Sequence, residues 1–386
     1  MNNKRICVKN GIDNLEEYDE LLEGKKIGLV TNITGIRKDF KSTVDIINEE
    51  YDLRVVFSPE HGLRGEHQAG EVVRDYIDKK TGKLVVSLYG DNKIPTKENL
   101  KDIDILIYDI QDLGIRYYTY IYTMYLCMKA CSENNITFVI LDRINPLGGL
   151  NIEGNILECK YNSFVGMLPI TNSYGLTIGE LAKYIKALEE LECNLIVVPV
   201  KGWNRGVYFD ETDLPWIAPS PNIPTLSSAL VYGGTCIFEG TNVSEGRGTT
   251  KPFEIIGAPW ISGDDLSDRL NRKHIPGVYF RSIYFVPTFS KYKDEMCEGI
   301  QIHVTDIEKF SPIQVALNAL YEIKEMYPNH FSNEVSSEGF KYNFFNHLVG
   351  CDYVLGDTLD IVLSKFKKDS DMFLKSIEKY FMYWGE

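Results

Sequence analysis

The sequence predicts an α/β protein: a mostly parallel central sheet, followed by a smaller α+β region. Three observations predict it. Short apolar runs stop abruptly in polar loops, helix-like segments separate those runs, and a proline-dense stretch ends the alternation. Runs of four or five apolar residues bounded by turn residues read as strands buried on both faces.

The first run, Ile27-Gly28-Leu29-Val30, breaks off at Thr31-Asn32. Ser42 then caps a helix expected to reach about residue 51, with Val44, Ile46 and Ile47 inward. Leu53-Arg54-Val55-Val56-Phe57 is the next strand and stops at Ser58-Pro59-Glu60-His61-Gly62. A long loop leads to a strand at 84–89, and Thr96 opens a short helical segment. Ile105-Leu106-Ile107-Tyr108 ends at Asp109-Ile110-Gln111-Asp112, a helix is expected over 118–134, and Phe138-Val139-Ile140-Leu141 ends at Asp142-Arg143-Ile144-Asn145-Pro146. Thr177-Ile178-Gly179-Glu180 has the form of a capping box opening a helix to about residue 192, and the strand 195–200 follows. Strand, helix and strand in repetition imply right-handed crossovers and a Rossmann-like three-layer domain. The loops at the carboxyl ends of its strands share one edge, where open α/β sheets bind ligands.

Pro215, Pro219, Pro221 and Pro224 exclude helix and central strand from their stretch and place a boundary near residue 225. The expected domains are a Rossmann-like catalytic domain over 1–225 and an α+β domain over 226–386 that closes the cleft. The second starts at Gly234-Thr235-Cys236-Ile237-Phe238-Glu239-Gly240, with strands near 278–286 and 299–304 and helices near 312–326 and 357–382.

Length and charge narrow the function. At 386 residues the chain exceeds one ordinary core. With 41 Lys and Arg against 55 Asp and Glu, the formal charge of -14 argues against nucleic acid and anionic membrane surfaces as partners. No run is apolar for long enough to span a bilayer, and no apolar segment follows Lys4 and Arg5, so a cytoplasmic location is expected, with export by another route left open. Eight scattered cysteines without a C-x-x-C pair suggest reduced thiols, and Cys127 and Cys131 read as small residues of a core helix.

Among the polar loops Glu60 stands first. Pro59 stiffens its backbone, Gly62 lets the chain turn back, and partial burial there raises a carboxyl towards the range of a general acid. A plain surface pair of Glu60 with Arg64 is the structural alternative. His61 and His67, with Glu66 between them, suit hydrogen bonding to a ligand or to Glu60 better than metal ligation, since no metal-binding motif occurs. A metal hydrolase built on His61, Glu66, His67 and Asp109 is the minority reading. The segment from Asp109 through Gln111, Asp112, Arg116, Tyr117 and Tyr118 supplies carboxylates, an amide, a guanidinium and phenols, which suit a polyhydroxylated ring. Asp112 and Arg116 could equally cap and pair at the start of the next helix. Arg143 is a candidate carboxylate fork, while Gly148 and Gly149 serve turn geometry; neither phosphate-loop motif is present. From the second domain, Glu239, Asn242, Glu245 and Arg247 ride on a glycine-rich segment that faces the ligand or forms a surface loop.

At these residues the chain resembles the exo-β-N-acetylmuramidases of NamZ type. The resemblance is carried by Ser58-Pro59-Glu60-His61-Gly62, Asp109-Ile110-Gln111-Asp112-Leu113-Gly114-Ile115-Arg116-Tyr117-Tyr118-Thr119-Tyr120, Leu141-Asp142-Arg143 with Asn145-Pro146-Leu147-Gly148-Gly149, and the block 238–250. Supporting blocks are Ser163-Phe164-Val165-Gly166, Pro219-Ser220-Pro221-Asn222-Ile223-Pro224-Thr225 and Ile302-His303-Val304-Thr305-Asp306. The resemblance implies a cleft between a Rossmann-like domain and a smaller α+β domain. It also implies removal of terminal β-1,4-linked N-acetylmuramic acid from the non-reducing end of peptidoglycan fragments, without nucleotide or metal cofactor.

The family's proposed catalytic glutamate falls on Glu60. On that reading Asp109 is the expected second group, with Asp112, Glu239 and Glu245 behind it, unless the substrate's own N-acetyl serves. The lactyl carboxylate would be held by Arg64, Arg116, Arg143 or Arg247. Asn32, His61, Gln111, Tyr118, Asp142, Asn145, Tyr174 and Asn242 complete the expected substrate contacts. The family's usual histidine is replaced here by Tyr174 in Ser173-Tyr174-Gly175-Leu176-Thr177, which is the best support for a non-catalytic muropeptide-binding or sensing protein as the alternative.

Overall fold

The computed structural model describes residues 5–65, 74–90, 92–334 and 343–384. In chain order its strands are β1 Lys26–Thr31, β2 Asp52–Ser58, β3 Tyr76–Ile77, β4 Leu84–Ser87, β5 Ile105–Asp109 and β6 Thr137–Leu141. There follow β7 Ile152–Glu153, β8 Ser173–Tyr174, β9 Leu195–Val198, β10 Ile255–Ala258, β11 Val278–Phe285 and β12 Cys297–Val304. The helices are α1 Asp19–Leu22, α2 Thr43–Glu50, α3 Lys97–Leu100, α4 Tyr120–Asn134 and α5 Ile178–Leu188. The later ones are α6 Leu226–Thr235, α7 Gly263–Arg272, α8 Pro312–Met326, α9 Phe344–Val349 and α10 Leu359–Ile377. Among the described residues no helix is long and apolar enough to cross a membrane.

Seven strands form one sheet in the order β3-β4-β2-β1-β5-β6-β9, parallel except where β3 meets β4. The chain builds outward from β1 to one side, then returns to its other side at β5, so the switch point lies between β1 and β5. Alternation along the strands fills two cores. Leu106, Tyr108, Phe138 and Ile140 pack with residues of α4 and α5, while Ile105, Ile107, Val139 and Leu141 pack with Ile12, Leu15 and Val44. Fully parallel strands covered on both faces need continuous apolar runs, and that requirement made them legible.

The helix caps follow local chemistry. Ser42 Oγ accepts from the Asp45 N–H at 3.2 Å, and Thr177 with Glu180 forms a capping box. The helix expected to reach residue 192 stops at Leu188, and Glu190 then adopts a left-handed φ of 50°.

The second layer system is the antiparallel sheet β10-β12-β11, to which α7 and α8 contribute core residues. Where the sequence suggested the entry to this region at 234–240, the structure has the end of α6 and a 3-10 helix, Cys236–Gly240. The glycines that disguised α6 have a packing cause: a Cβ at Gly234 would fall 1.9 Å from the Pro312 carbonyl oxygen of α8.

After α10 the chain returns to the first sheet. Tyr383 donates its hydroxyl to Asp142 Oδ2 at 2.5 Å and accepts from the Val200 N–H at 3.0 Å, and it packs edge-on against Trp203. Asp142 also accepts from Thr177 Oγ1 and from the Gly179 and Arg143 N–H groups, and burial pushes its carboxyl up to about 6.

Tyr383→Phe removes one donor from this buried carboxylate. We expect a loss of about 1.5–3 kcal/mol at pH 7 in urea unfolding, with a smaller loss at pH 5, where Asp142 takes up a proton.

Candidate active site

Glu60 lies two residues past the end of β2. His61 and Gly62 both take left-handed φ, 73° and 78°, and the Gly62 N–H bonds back to the Pro59 carbonyl at 3.2 Å. This turn leaves the Glu60 side chain half-buried at the carboxyl edge of the sheet. Its Oε2 accepts from Thr119 Oγ1 at 2.9 Å. Thr119 occupies the N-cap position of α4, yet its hydroxyl makes no cap bond and turns to Glu60 instead. The expected helix begins at residue 118 and takes Thr119 into its first turn, so Thr119 is not among the residues expected at the site.

Around this carboxyl the structure assembles an aromatic and amide wall. The Tyr120 hydroxyl donates to the Pro219 carbonyl at 2.6 Å, and burial, reinforced by the Glu60 charge, pushes its phenol above the ordinary range. The Asn32 amide lies beside Tyr120. Asn32 Oδ1 is used by the Thr34 N–H and hydroxyl, while its buried Nδ2 makes no well-formed hydrogen bond to a described residue. Tyr118 stands edge-on to Tyr120 at 4.8 Å and to Tyr232 at 5.9 Å, and Tyr232 meets Phe253 at 4.7 Å.

Those rings connect Glu60 with the acidic segment of the second sheet's region. Arg247 sits 5.3 Å from the Phe253 ring and pairs with Glu239 at 2.7 Å and Glu245 at 3.5 Å. Lys291 holds the other Glu245 oxygen at 2.9 Å. Burial works to raise the Glu245 carboxyl, but Lys291 and Arg247 outweigh it and hold it below the usual range. Two cations thus meet two carboxylates, and the cluster is charge-balanced. Asn242 is a brace for this segment, bonded to the His330 carbonyl and the Ser332 N–H at 2.7 and 2.8 Å.

Several expected contacts are corrected by the geometry. Asp109, expected as the second catalytic group, is 0% exposed, and both its oxygens are occupied by Arg143 at 2.6 and 2.9 Å and by Thr43 Oγ1 at 2.5 Å. It holds Arg143 through Nε and Nη2, and the latter also donates to the Ile36 carbonyl at 3.0 Å. Arg116 is 0% exposed: its guanidinium donates to the carbonyls of Asn155, Ile170, Leu348 and Val349 and offers nothing to a ligand. Nor does it pair with Asp112. Asp142 is likewise buried and structural, and Asn145 and Gln111 spend their amides on Leu176, Ile144 and Asp112 carbonyls.

Tyr174 is fully buried and donates to Asp112 Oδ2, which also accepts from the Gly114 N–H at 2.6 Å. Burial pushes Asp112 up to about 6. A residue enclosed in this way supports the loop from within, so the argument for a sensor that rested on Tyr174 as a ligand contact falls away. Arg64 donates to Asp78 at 3.0 and 3.1 Å, and His61 is buried. Glu66 and His67 lie outside the described residues.

A small crevice, open to solvent, lies at the switch point, walled by Thr34, Arg37, Gln111, Arg143, Phe209 and Trp216. It follows the rule for open sheets. Glu60 is not among its walls.

Two outcomes follow from the buried groups. Arg116→Met strands four carbonyls and should cost about 3–5 kcal/mol in urea unfolding. Asp112 and Asp142 at about 6 and Glu153 at about 7 are all raised by burial. Their contribution to stability is full below about pH 4 and is lost as pH rises through 6 to 7, because the folded state keeps protons the unfolded chain releases. Asp45, Asp78, Asp213 and Glu322 are held low by cationic and hydrogen-bonding partners that outweigh burial, so their contribution disappears only at more acid pH. Thermal melting across pH 3–8 should therefore peak near pH 5, and a midpoint rising steadily from pH 5 to 8 would contradict this assignment.

Comparison with known proteins agrees with this architecture. A family model described as exo-beta-N-acetylmuramidase NamZ, N-terminal, matches residues 27–227, and its C-terminal counterpart matches residues 230–383. The chain is 47% identical over 388 residues to the peptidoglycan beta-N-acetylmuramidase NamZ of Bacillus subtilis (strain 168), covering 98% of this chain and 92% of that protein. A DUF1343 family protein of Bacteroides fragilis NCTC 9343 has a crystal structure that superposes with a TM-score of 0.91 at 40% identity, covering 98% of this chain and 100% of that one. A second protein of that family and organism gives 0.76 at 31% identity, covering 98% and 99%. With both halves matched in order and nearly the whole chain aligned, the protein belongs to the NamZ family of exo-β-N-acetylmuramidases.

Proposed function

We propose that this protein removes terminal β-1,4-linked N-acetylmuramic acid from the non-reducing end of peptidoglycan fragments, with Glu60 as the proton donor to the leaving oxygen. The observation that carries the assignment is the Glu60–Thr119 hydrogen bond at 2.9 Å, on a carboxyl that is half-buried at the sheet edge. A donor must be aimed before the substrate arrives, and one fixed partner on a helix terminus provides that aim. The buried rings of Tyr118 and Tyr120 and the buried Asn32 amide back this position from inside the protein and fix the helix terminus that carries Thr119.

Cleavage breaks the bond from the anomeric carbon to the bridging oxygen. That oxygen takes its proton from Glu60, and the positive charge growing at the anomeric carbon needs a second group. Asp109 is committed to Arg143, Asp112 to Tyr174, and Glu245 to Lys291 and Arg247. We therefore assign the second role to the carbonyl oxygen of the substrate's own N-acetyl group, which closes onto the anomeric carbon before water opens the ring. The now ionised Glu60 removes a proton from that water, and the sugar leaves with its configuration retained.

Eight free thiols suit a reducing compartment, and we place the reaction there, on recycled fragments. Cell fractionation with an antibody to the chain checks this; recovery with the wall fraction alone would contradict it.

Glu60→Gln keeps the shape and the hydrogen-bond acceptor but removes the transferable proton. Release of N-acetylmuramic acid from a muramyl disaccharide should fall by about 10²–10⁴-fold with the melting midpoint unchanged. A fully active variant would take the donor role from Glu60. Progressive fluorination of the substrate's N-acetyl group should slow turnover in step with the loss of carbonyl nucleophilicity; no change would return the second role to an enzyme carboxylate such as Glu239.

A further inference from the structure

The lactyl ether is what distinguishes muramic acid from plain N-acetylglucosamine, and its carboxylate needs a cation. Every arginine the sequence offered for it is committed elsewhere. Arg143 is neutralised by Asp109, Arg247 by Glu239 and Glu245, Arg64 by Asp78, and Arg116 is sealed among carbonyls. Arg37 and Lys38, at the switch-point crevice, are paired with Asp39 and Asp213. On a protein of charge -14 an anionic sugar still requires local attraction.

Lys93 supplies it. Its ammonium sits 4.4 Å from the centroid of the Phe164 ring, half-buried, and makes no ion pair with a carboxylate among the described residues. A ring face orients an ammonium without using up its donors, so three N–H groups remain for an anion. The Phe164 ring lies 6.1 Å from Tyr89 and 6.4 Å from Tyr122, so Lys93 tops an aromatic platform.

Two independent paths place that platform next to Glu60. Along the sheet, β2 and β4 pair through Ser58 and Ser87, and the Leu88 N–H bonds to the Ser58 carbonyl, so Tyr89 and Glu60 leave adjacent strand ends about 5 Å apart in the pairing direction. Along α4, Thr119 holds Glu60 and Tyr122 lies one turn further on, its N–H bonded to the Thr119 carbonyl. Arg74, another cation without a carboxylate partner among the described residues, is exposed beside edge strand β3, one strand further out.

We propose that Lys93, seated over Phe164 beside Tyr89 and Tyr122, is the specificity determinant that binds the lactyl carboxylate of the terminal muramic acid. The proposal rests on the hydrolase reading for its ligand, not on the identity of the proton donor.

The test is calorimetric binding of N-acetylmuramic acid and of its lactyl amide to the wild-type protein, Lys93→Met and Lys93→Arg. Wild type should bind the acid about tenfold more tightly than the amide; Lys93→Met should lose that preference while Lys93→Arg keeps most of it. The preference should also weaken as salt rises from 50 to 500 mM, because the ammonium is partly exposed. A wild-type protein indifferent to acid or amide, or a Lys93→Met variant that retains the preference, would overturn the proposal. Since binding is read without turnover, an inactive wild-type protein would count against the hydrolase reading while the acid-to-amide ratio still judged Lys93.

Discussion

The buried guanidinium of Arg116 is the constraint on which the site depends. An arginine stays charged, and enclosing it costs several kcal/mol unless its donors are met. Here four main-chain carbonyls drawn from three separate segments meet the two terminal nitrogens, and only Nε is left without a partner among the described residues. Two of those carbonyls, Leu348 and Val349, are left open at the end of α9, where a helix has no internal donors to offer. Gly350 then takes a φ of 86°, and a Cβ there would fall 2.6 Å from the Arg116 terminal nitrogen, so both conformation and space require glycine. The requirement is mutual: Arg116 needs the helix end, and the helix end needs Arg116. Because residues 117–120 follow directly, this one bolt sets where Tyr118, Thr119 and Tyr120 point.

The sheet was legible in the sequence because a strand buried on both faces admits few polar residues, and the runs ending at Thr31, Phe57, Tyr108 and Leu141 obey that rule. The caps at Ser42 and Thr177 were legible for the same local reason: their chemistry is satisfied within three residues. The site was only half legible. Asp109, Asp142 and Arg116 belong to the same residue types, in the same loops, as the residues proposed to meet the ligand. What separates the two classes is which side chain finds a partner inside the protein, and that partner is distant in sequence: Arg143 for Asp109, Tyr383 for Asp142, the end of α9 for Arg116. Thr119 was hidden because the expected helix begins at residue 118 and takes it in as a first-turn residue, with nothing local to link its hydroxyl to Glu60. Lys93 was hidden because an isolated loop lysine carries no pattern at all; only its seat on Phe164 singles it out.

The same accounting explains how an acidic protein handles an acidic sugar. Near the sheet edge Asp109 is matched by a guanidinium, and Glu239 and Glu245 share two cations, while Asp112 and Asp142 are held by neutral phenol donors. A matched pair has little field beyond its own contacts, so those ion pairs neither repel an incoming carboxylate nor attract it. Recognition of the anion must then come from a cation left outside the matched set. Pairing for stability and leaving one ammonium unmatched for binding are complementary requirements on the same edge.

The ties between the two layer systems bear on how catalysis is prepared. Tyr117 donates to the Tyr232 and Gly233 carbonyls of α6, the Ile156 N–H bonds to Asp369 of α10, Ser370 Oγ bonds to the Gly154 carbonyl, and Ser311 at the start of α8 donates to Glu153. Tyr383 adds a further tie at Asp142. Hinged enzymes keep such cross-links few, because each must break on opening at about 1 kcal/mol or more. With this many, joined by a continuous run of rings from Tyr120 to Phe253, opening the halves would be costly. The two layer systems are therefore fixed together by folding, and the Glu60 carboxyl with its Thr119 partner is already in place without closure. On the role proposed for Glu60, that is the arrangement electrostatic catalysis favours, since a donor already oriented needs no reorganisation when charge develops on the sugar.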